Sequence, residues 1–249
     1  MIVVKLGGSI ISDKSKPFSF RQNVVEGIAE EISHFYPKKK FLLVHGGGSY
    51  GHPLAKKYGI REGFDDEKMI GFSHTHQAML ELNKKIVDIF LKKNLPAFSV
   101  SPSSIFVIEN GEVVEGSTAA MEALLEKNFI PVLFGDVAMA RDRGMDILSG
   151  DQIISFIESK MEVEKVIFLM DVDGIYDKNP DEEGAELVEI LDEKISIEGK
   201  TGKFDVTGGI KNKIEEAMKM KCPVYFINGM TGGNLTKAIE GKRMGTYKP

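Results

Sequence analysis

The sequence predicts an α/β fold: an open, mostly parallel sheet sandwiched by helices, with β-hairpins on its flank. Three observations carry that prediction. Short β-rich apolar runs recur along the chain, longer stretches with helical spacing lie between them, and several element boundaries are crowded with glycine. Strands that alternate with helices pair in parallel, because each return connection is long enough to hold a helix.

The expected strands are residues 2–4, 41–44, 97–100, 130–134, 166–170 and 224–227. Each is a continuous apolar run, as befits a strand covered on both faces. Val24, Ile28, Ile32 and Phe35 are spaced by three or four, as are Met79, Leu82, Ile86, Ile89 and Phe90, so each set marks one face of a helix. A further helix opens at Gly208-Gly209, with Ile210, Ile214 and Ala217 on one side. Asn110-Gly111 between apolar arms, and Asp142-Arg143-Gly144 between residues 137–139 and 147–148, read as hairpin turns. No internal repeat, low-complexity tract or linker divides the chain.

Composition excludes several classes of partner. The 249 residues carry a net charge of -5, and the longest basic run is Lys38-Lys39-Lys40, which leaves no electrostatic footprint for nucleic acid or an anionic membrane. Small-molecule partners are therefore expected. The single Cys222 excludes an intramolecular disulfide. No apolar run approaches the roughly 20 residues of a membrane-spanning helix, and Met1-Ile2-Val3-Val4-Lys5 has no export-signal pattern, so a cytoplasmic location is expected.

The chemistry concentrates where elements meet glycine. Lys5-Leu6-Gly7-Gly8-Ser9 follows the first strand, and glycines there let backbone N–H groups approach a polyphosphate while Lys5 supplies charge. Residues 44–52, Val-His-Gly-Gly-Gly-Ser-Tyr-Gly-His, close the second strand, and so much glycine implies close backbone approach to a ligand. The third site, Asp205 to Lys213, is a Gly-Gly turn opening a helix whose first-turn lysine points with the N-terminal dipole toward an anion. Gly46, Gly48 and Gly51 match the dinucleotide-binding spacing. However, Pro53 follows at once where a helix should continue, and Asp65-Asp66-Glu67 is not preceded by a strand. No Gly-x-x-x-x-Gly-Lys-Ser/Thr loop occurs.

The ordered set Lys5-Leu6-Gly7-Gly8-Ser9, His45-Gly46-Gly47-Gly48, Ser149-Gly150-Asp151, residues 171–176 (Asp-Val-Asp-Gly-Ile-Tyr) and Gly208-Gly209-Ile210 with Lys213 resembles the amino acid kinase superfamily across almost the whole chain. Residues 48–52, Gly-Ser-Tyr-Gly-His, together with Lys14, are similar to its isopentenyl phosphate kinase branch and, more distantly, to fosfomycin kinases. Ile210 stands where the superfamily often has Met, a volume-conserving exchange. The resemblance implies an αβα fold with an acceptor-binding lobe over roughly residues 1–160 and a nucleotide-binding lobe over 161–249. It also implies ATP as phosphoryl donor, with Mg²⁺ carried largely by phosphates and water, and isopentenyl phosphate as acceptor.

By that resemblance, Lys5 with Leu6, Gly7, Gly8 and Ser9 holds the β- and γ-phosphates, and Lys213 reaches them from the other side. Lys14 stabilises the group in flight, Asp151 orients the lysines and Gly48 faces the transferred phosphate. Gly47, Gly150 and His52 receive the acceptor phosphate, and Asp171, Asp173, Tyr176 and Gly209 belong to the nucleotide side. A phosphate acceptor, already ionised near pH 7 with its second pKa of about 6, needs no general base. Other readings stay open. A phosphonate such as fosfomycin is a rival acceptor, and a sensor without catalysis would not need Lys5, Lys14, Asp151 and Lys213 together.

Simpler roles suit other residues. His45 ends a strand and reads as a structural hydrogen-bonder. His74 and His76, two apart on a helix, do not share a face and make no metal site. Residues 65–68 read as a solvated helix start, and the Met79 stripe as core. Phe72 and Ile70 are candidates for touching a five-carbon tail. A symmetric homodimer is the base-rate expectation.

Overall fold

A computed structural model describes residues 1–13, 15–192 and 208–249. The strands are β1 (Ile2–Leu6), β2 (Phe41–His45), β3 (Ala97–Ser99), β4 (Phe106–Glu109), β5 (Glu112–Gly116), β6 (Ile130–Phe134), β7 (Asp136–Ala140), β8 (Gly144–Leu148), β9 (Lys165–Met170), β10 (Val224–Asn228) and β11 (Thr246–Lys248). The α-helices are α1 (Gly8–Ile11), α2 (Gln22–Ser33), α3 (Gly48–Lys57), α4 (Met69–Lys92), α5 (Ala119–Glu126), α6 (Gly150–Lys160), α7 (Gly208–Lys219) and α8 (Asn234–Ile239).

All six expected strands join one sheet in the order β11-β10-β9-β1-β2-β6-β3, parallel except for the terminal β11. The chain leaves β1 toward β2 on one side and returns later to β9 on the other. β1 is thus the switch point of the sheet, and in open α/β sheets ligands bind outside the carboxyl ends of the strands there. Residues 161–164 link α6 to β9, and the β1–β9 pairing carries the sheet across that boundary.

Side chains alternate across each strand. Val4, Leu6, Leu43, Ile167 and Leu169 pack under α1, α2, α4 and α8, while Val3, Val44, Val166 and Phe168 pack under α6, α7 and a second, smaller sheet. That smaller sheet, β5-β4-β7-β8, is the two expected hairpins fused through the Ile108–Ala140 bridge. Asn110 and Gly111 both have positive φ, 51° and 77°, as the tight hairpin turn requires.

Two expectations change. α2 ends at Ser33, so Phe35 packs beyond the helix. α3 begins inside the glycine motif and contains Pro53. The carbonyl of Ser49, which Pro53 cannot serve, accepts the Phe18 N–H at 3.2 Å. A helix after these glycines therefore does not distinguish this loop from a dinucleotide loop; what does is that the next strand, β3, begins only at Ala97.

Candidate active site

Lys5 lies opposite Val44 on β2 and Phe168 on β9, and shares their face of the sheet. That face looks at the start of α6, where Ser149 and Gln152 form a reciprocal cap, at 2.7 and 3.2 Å. The cap fixes Asp151 in the first turn, at the positive end of the helix dipole. Asp151 Oδ1 accepts from Lys5 Nζ, and Oδ2 accepts from Lys213 Nζ at 3.1 Å. Lys213 stands on the second turn of α7, not the first, and the backward tilt of helical side chains brings it to the helix start. Both ammonium groups sit over the Phe168 ring, 5.6 and 5.5 Å from its centre.

Burial pushes the Lys5 ammonium down to about 7, with Lys213 adding to the effect and Asp151 opposing it. Burial would raise the Asp151 carboxyl, but the charges of Lys5 and Lys213 hold it below the usual range. With both lysines protonated, the cluster carries one uncompensated positive charge. Such a site favours an anion.

The glycines of the first two motifs have two distinct reasons to be there. A Cβ on Gly8 would lie 2.9 Å from the Gly48 nitrogen, so these loops touch backbone to backbone. A Cβ on Gly47 would touch Gly51, Met79 and His52 at ordinary contact distances of 3.6–3.7 Å, and one on Gly209 would meet nothing within 4 Å; both glycines line the cavity. His45 is buried and pushed down to about 4 by desolvation. Asn83 Nδ2 donates to its Nε2 at 3.2 Å and its Nδ1 donates to the Gly46 carbonyl at 3.0 Å, so a neutral ring braces the loop.

A cavity of about 430 Å³ joins these parts. It brings together Lys5, Gly7, Gly8, Ser9, Gly47, His52, Gly150, Asp151, Asp171, Gly209 and Lys213. It leaves out four residues. The Leu6 side chain is core. Gly48 packs on Ser12, whose Oγ would be 2.3 Å from a Cβ there. Asp173 and Tyr176 lie outside because Gly174 packs against Thr246 and the Ile175 N–H donates to Thr246 Oγ1 at 2.8 Å, drawing the loop toward β11. Asp173 accepts from Asn228 instead, at 2.9 Å. Lys14, and residues 205–207 of the third glycine motif, lie outside the described residues.

The far end of the cavity is apolar, with Ala55, Met79, Val137 and Ile147 in its wall and Arg61 beside them. Ile70 is 67% exposed and neither it nor Phe72 reaches the cavity; Phe72 packs behind, on the cluster of Ala55, Ile60, Val137 and Met145. Pattern could not show this, since helix spacing says which residues share a face but not what the face meets. Met79 is core and cavity wall at once. Asp136 is a site residue absent from the sequence-based candidates; its signal is an acidic residue just after a strand and a glycine, Phe134-Gly135-Asp136. It lines the cavity and pairs with His76. Among the described residues no group of three His, Cys, Asp or Glu side chains could hold a metal ion, and no helix is long and apolar enough to cross a membrane.

Comparison with known proteins matches residues 1–228 to the amino acid kinase family model. The isopentenyl phosphate kinase of Methanocaldococcus jannaschii is 35% identical over 99% of this chain and 97% of its own length. That of Methanothermobacter thermautotrophicus is 34% identical over 98% and 97%. A solved isopentenyl phosphate kinase superposes over 100% of both chains, with a TM-score of 0.88 and 30% identity.

Proposed function

We infer the function from the premise that this chain belongs to the amino acid kinase family: it is an ATP-dependent kinase that phosphorylates isopentenyl phosphate to isopentenyl diphosphate. The observation that carries this reading is one cavity lined both by the surplus positive charge of Lys5, Lys213 and Asp151 and by the apolar side chains of Ala55, Met79, Val137 and Ile147, with His52 and Gly47 in the same lining. An amino acid acceptor has no use for such a pocket, whereas a five-carbon tail on a phosphate fills it.

A terminal phosphate oxygen of the acceptor attacks the γ-phosphorus of ATP, the bond from that phosphorus to the β–γ bridging oxygen breaks, and ADP leaves. The acceptor oxygen is already ionised, so the protein aligns and neutralises without removing a proton. Lys5 and Lys213, oriented by Asp151, meet the β- and γ-phosphates together with the N–H groups of Gly7, Gly8 and Ser9. The Leu6 contribution is limited to its backbone. Gly150 and Gly47 let the acceptor phosphate approach, His52 donates to it, and Lys14 stabilises the group in transfer. Asp171 and Gly209 adjoin the nucleotide, while Asp173 and Tyr176 are left to whatever part of it extends beyond the cavity. Mg²⁺ would arrive as a companion of ATP and would supply charge neutralisation, since no group of three carboxylate, imidazole or thiol side chains among the described residues could hold it.

We read residues 1–160 as the acceptor lobe and 161–249 as the nucleotide lobe of one unit working in the cytoplasm. A homodimer is consistent with β3, a sheet edge that exposes half of Phe98 beside Phe129. The test is an ADP-release assay against isopentenyl phosphate, fosfomycin, N-acetylglutamate, glutamate and UMP at matched concentrations. Isopentenyl phosphate should have the highest kcat/KM; preference for any other acceptor overturns the assignment. Lys14→Ala should lower kcat by on the order of 10²-fold with little change in the KM for ATP, and a change in KM alone would remove Lys14 from the transfer step.

A further inference from the structure

We propose that His76 and Asp136 form a latch between the two walls of the acceptor pocket, positioning Val137 against α4 and so setting how wide a carbon chain the pocket admits. This rests on the kinase reading above and names a specificity device within it.

Asp136 opens β7, immediately after Gly135, whose N–H donates to the His45 carbonyl at 2.8 Å. The strand is thereby pinned to the acceptor glycine loop. The Asp136 side chain is fully buried, and its two oxygens serve opposite walls. Oδ1 accepts the N–H of Val137, a cavity-wall residue, at 2.8 Å. Oδ2 lies 2.8 Å from Nδ1 of His76 on α4, the helix that carries Thr75 and Met79 into the same cavity. Ser103 Oγ, on the turn Pro102–Ser104, stands 3.4 Å from the same ring nitrogen. One carboxylate therefore joins strand, helix and turn around the apolar end.

The choice of a histidine as partner has an electrostatic reason. A lone carboxylate in the wall would repel a phosphate acceptor and is costly to bury. A protonated His76 cancels it, so the latch adds no net charge to the pocket. The hydrogen bond to Asp136 raises the His76 pKa despite partial burial, which favours that state. The other titratable or charged groups around the cavity are His52 on α3, Arg61 on the turn Ile60–Glu62, and, at the nucleotide end, Lys5, Asp151, Asp171 and Lys213. Burial raises the Asp136 carboxyl above the usual range, and the hydrogen bond and charge of His76, with the Val137 N–H and Ser103, oppose that rise; none of the other charged groups contributes. Neither residue is placed to touch the reacting atoms, so both are positioning residues.

The test compares wild type, His76→Ala, His76→Asn and Asp136→Asn with five-, ten- and fifteen-carbon isoprenoid monophosphates, measuring KM and kcat for acceptor and ATP separately from pH 6 to 9. Losing a hydrogen bond to a buried charge should raise the five-carbon KM of His76→Ala about tenfold and shrink the preference for five over ten carbons, with the ATP KM unchanged. His76→Asn keeps a donor where Nδ1 stood and should recover much of both. Wild-type acceptor KM should rise with pH as His76 loses its proton and the pair becomes negative, a limb that His76→Asn lacks. If His76→Ala does not fold, His76→Phe, which keeps the ring but no donor, should show the same change in chain-length preference, while Asp136→Asn, whose amide can still donate to a neutral ring, should remove the pH limb and keep much of that preference. Unchanged chain-length ratios in His76→Ala or His76→Phe, or parallel losses for ATP and acceptor, overturn the latch. Failure of wild type to use isopentenyl phosphate would instead overturn the functional reading, and the latch would then be read from the same KM split on the acceptor that is used.

Discussion

At the floor of the cavity Lys5 and Lys213 share the single carboxylate of Asp151, whereas at the far wall His76 faces Asp136 one to one. The first arrangement leaves positive charge over; the second balances. The difference follows from what each end must take out of water. On the proposed reading a triphosphate brings its own negative charge to complete the floor, whereas a five-carbon tail brings none, so a buried carboxylate in the tail wall needs a partner within the protein; Arg61 is the other charged side chain beside that wall. The Phe168 ring, 5.6 and 5.5 Å from the two ammonium groups, puts apolar surface against them, which makes each charge there count for more.

The sharpest way to break this contrast is Asp151→Asn. It leaves the buried Lys5 and the part-buried Lys213 without a counter-charge, so Lys5 sheds its proton more readily; the expected result is a kcat loss on the order of 10³-fold and a lowered folding stability. Single-turnover kinetics and thermal melts measure the two effects; a near-native kcat would show that the carboxylate does not organise the lysines.

A second test uses pH. The folded, ligand-free Lys5 lies near 7, below its ordinary 10.5. On the proposed role it is the ammonium form that meets the triphosphate, so above that pH the site must take up a proton to bind. Affinity for a non-hydrolysable ATP analogue should fall by up to about tenfold per pH unit above 7. Stability of the ligand-free protein should move the other way, since between 7 and 10.5 the unfolded chain holds the proton that the folded one has lost. Titration calorimetry showing flat affinity over this range would mean that Lys5 stays charged when buried.

At the junction of the two ends, His52→Ala should raise the KM for isopentenyl phosphate about tenfold, the size of a lost charge-assisted hydrogen bond, and leave ATP binding unchanged. Loss of nucleotide affinity instead would move His52 to the floor. The smallest effect is expected at the tail: Val137→Ala or Ile147→Ala should shift relative kcat/KM toward a ten-carbon acceptor several-fold, each buried methylene adding about 0.8 kcal/mol. An unchanged ratio would mean that these side chains do not close the pocket.

Much of the floor was legible without coordinates, because its signals are local. Lys5 beside Gly7-Gly8 and Lys213 in the helix after Gly208-Gly209 sit at element boundaries marked by glycine, whereas Asp151 is implied only by the family-like order of the motifs, and its cap is a finding of the structure. The far wall was not. Ile70 and Phe72 are candidates for the tail pocket in the sequence, yet α4 turns Ile70 to solvent and seats Phe72 behind Ala55 and Val137. Likewise the glycines were read as room for a ligand, while Gly8 and Gly48 are needed where two loops press together.

The sequence by itself determined the alternation of strands and helices, the positions of the glycine boundaries and the family-like order of its motifs, since propensity, periodicity and turn chemistry act over a few residues at a time. Only the tertiary structure decided that Asp136 meets His76, that Asp173 and Tyr176 are drawn toward β11, and which apolar residues face the cavity. Those pairings join residues as far apart as 71 positions. They are set by how the layers of the sheet and its helices pack, a long-range choice for which no single segment carries a signal.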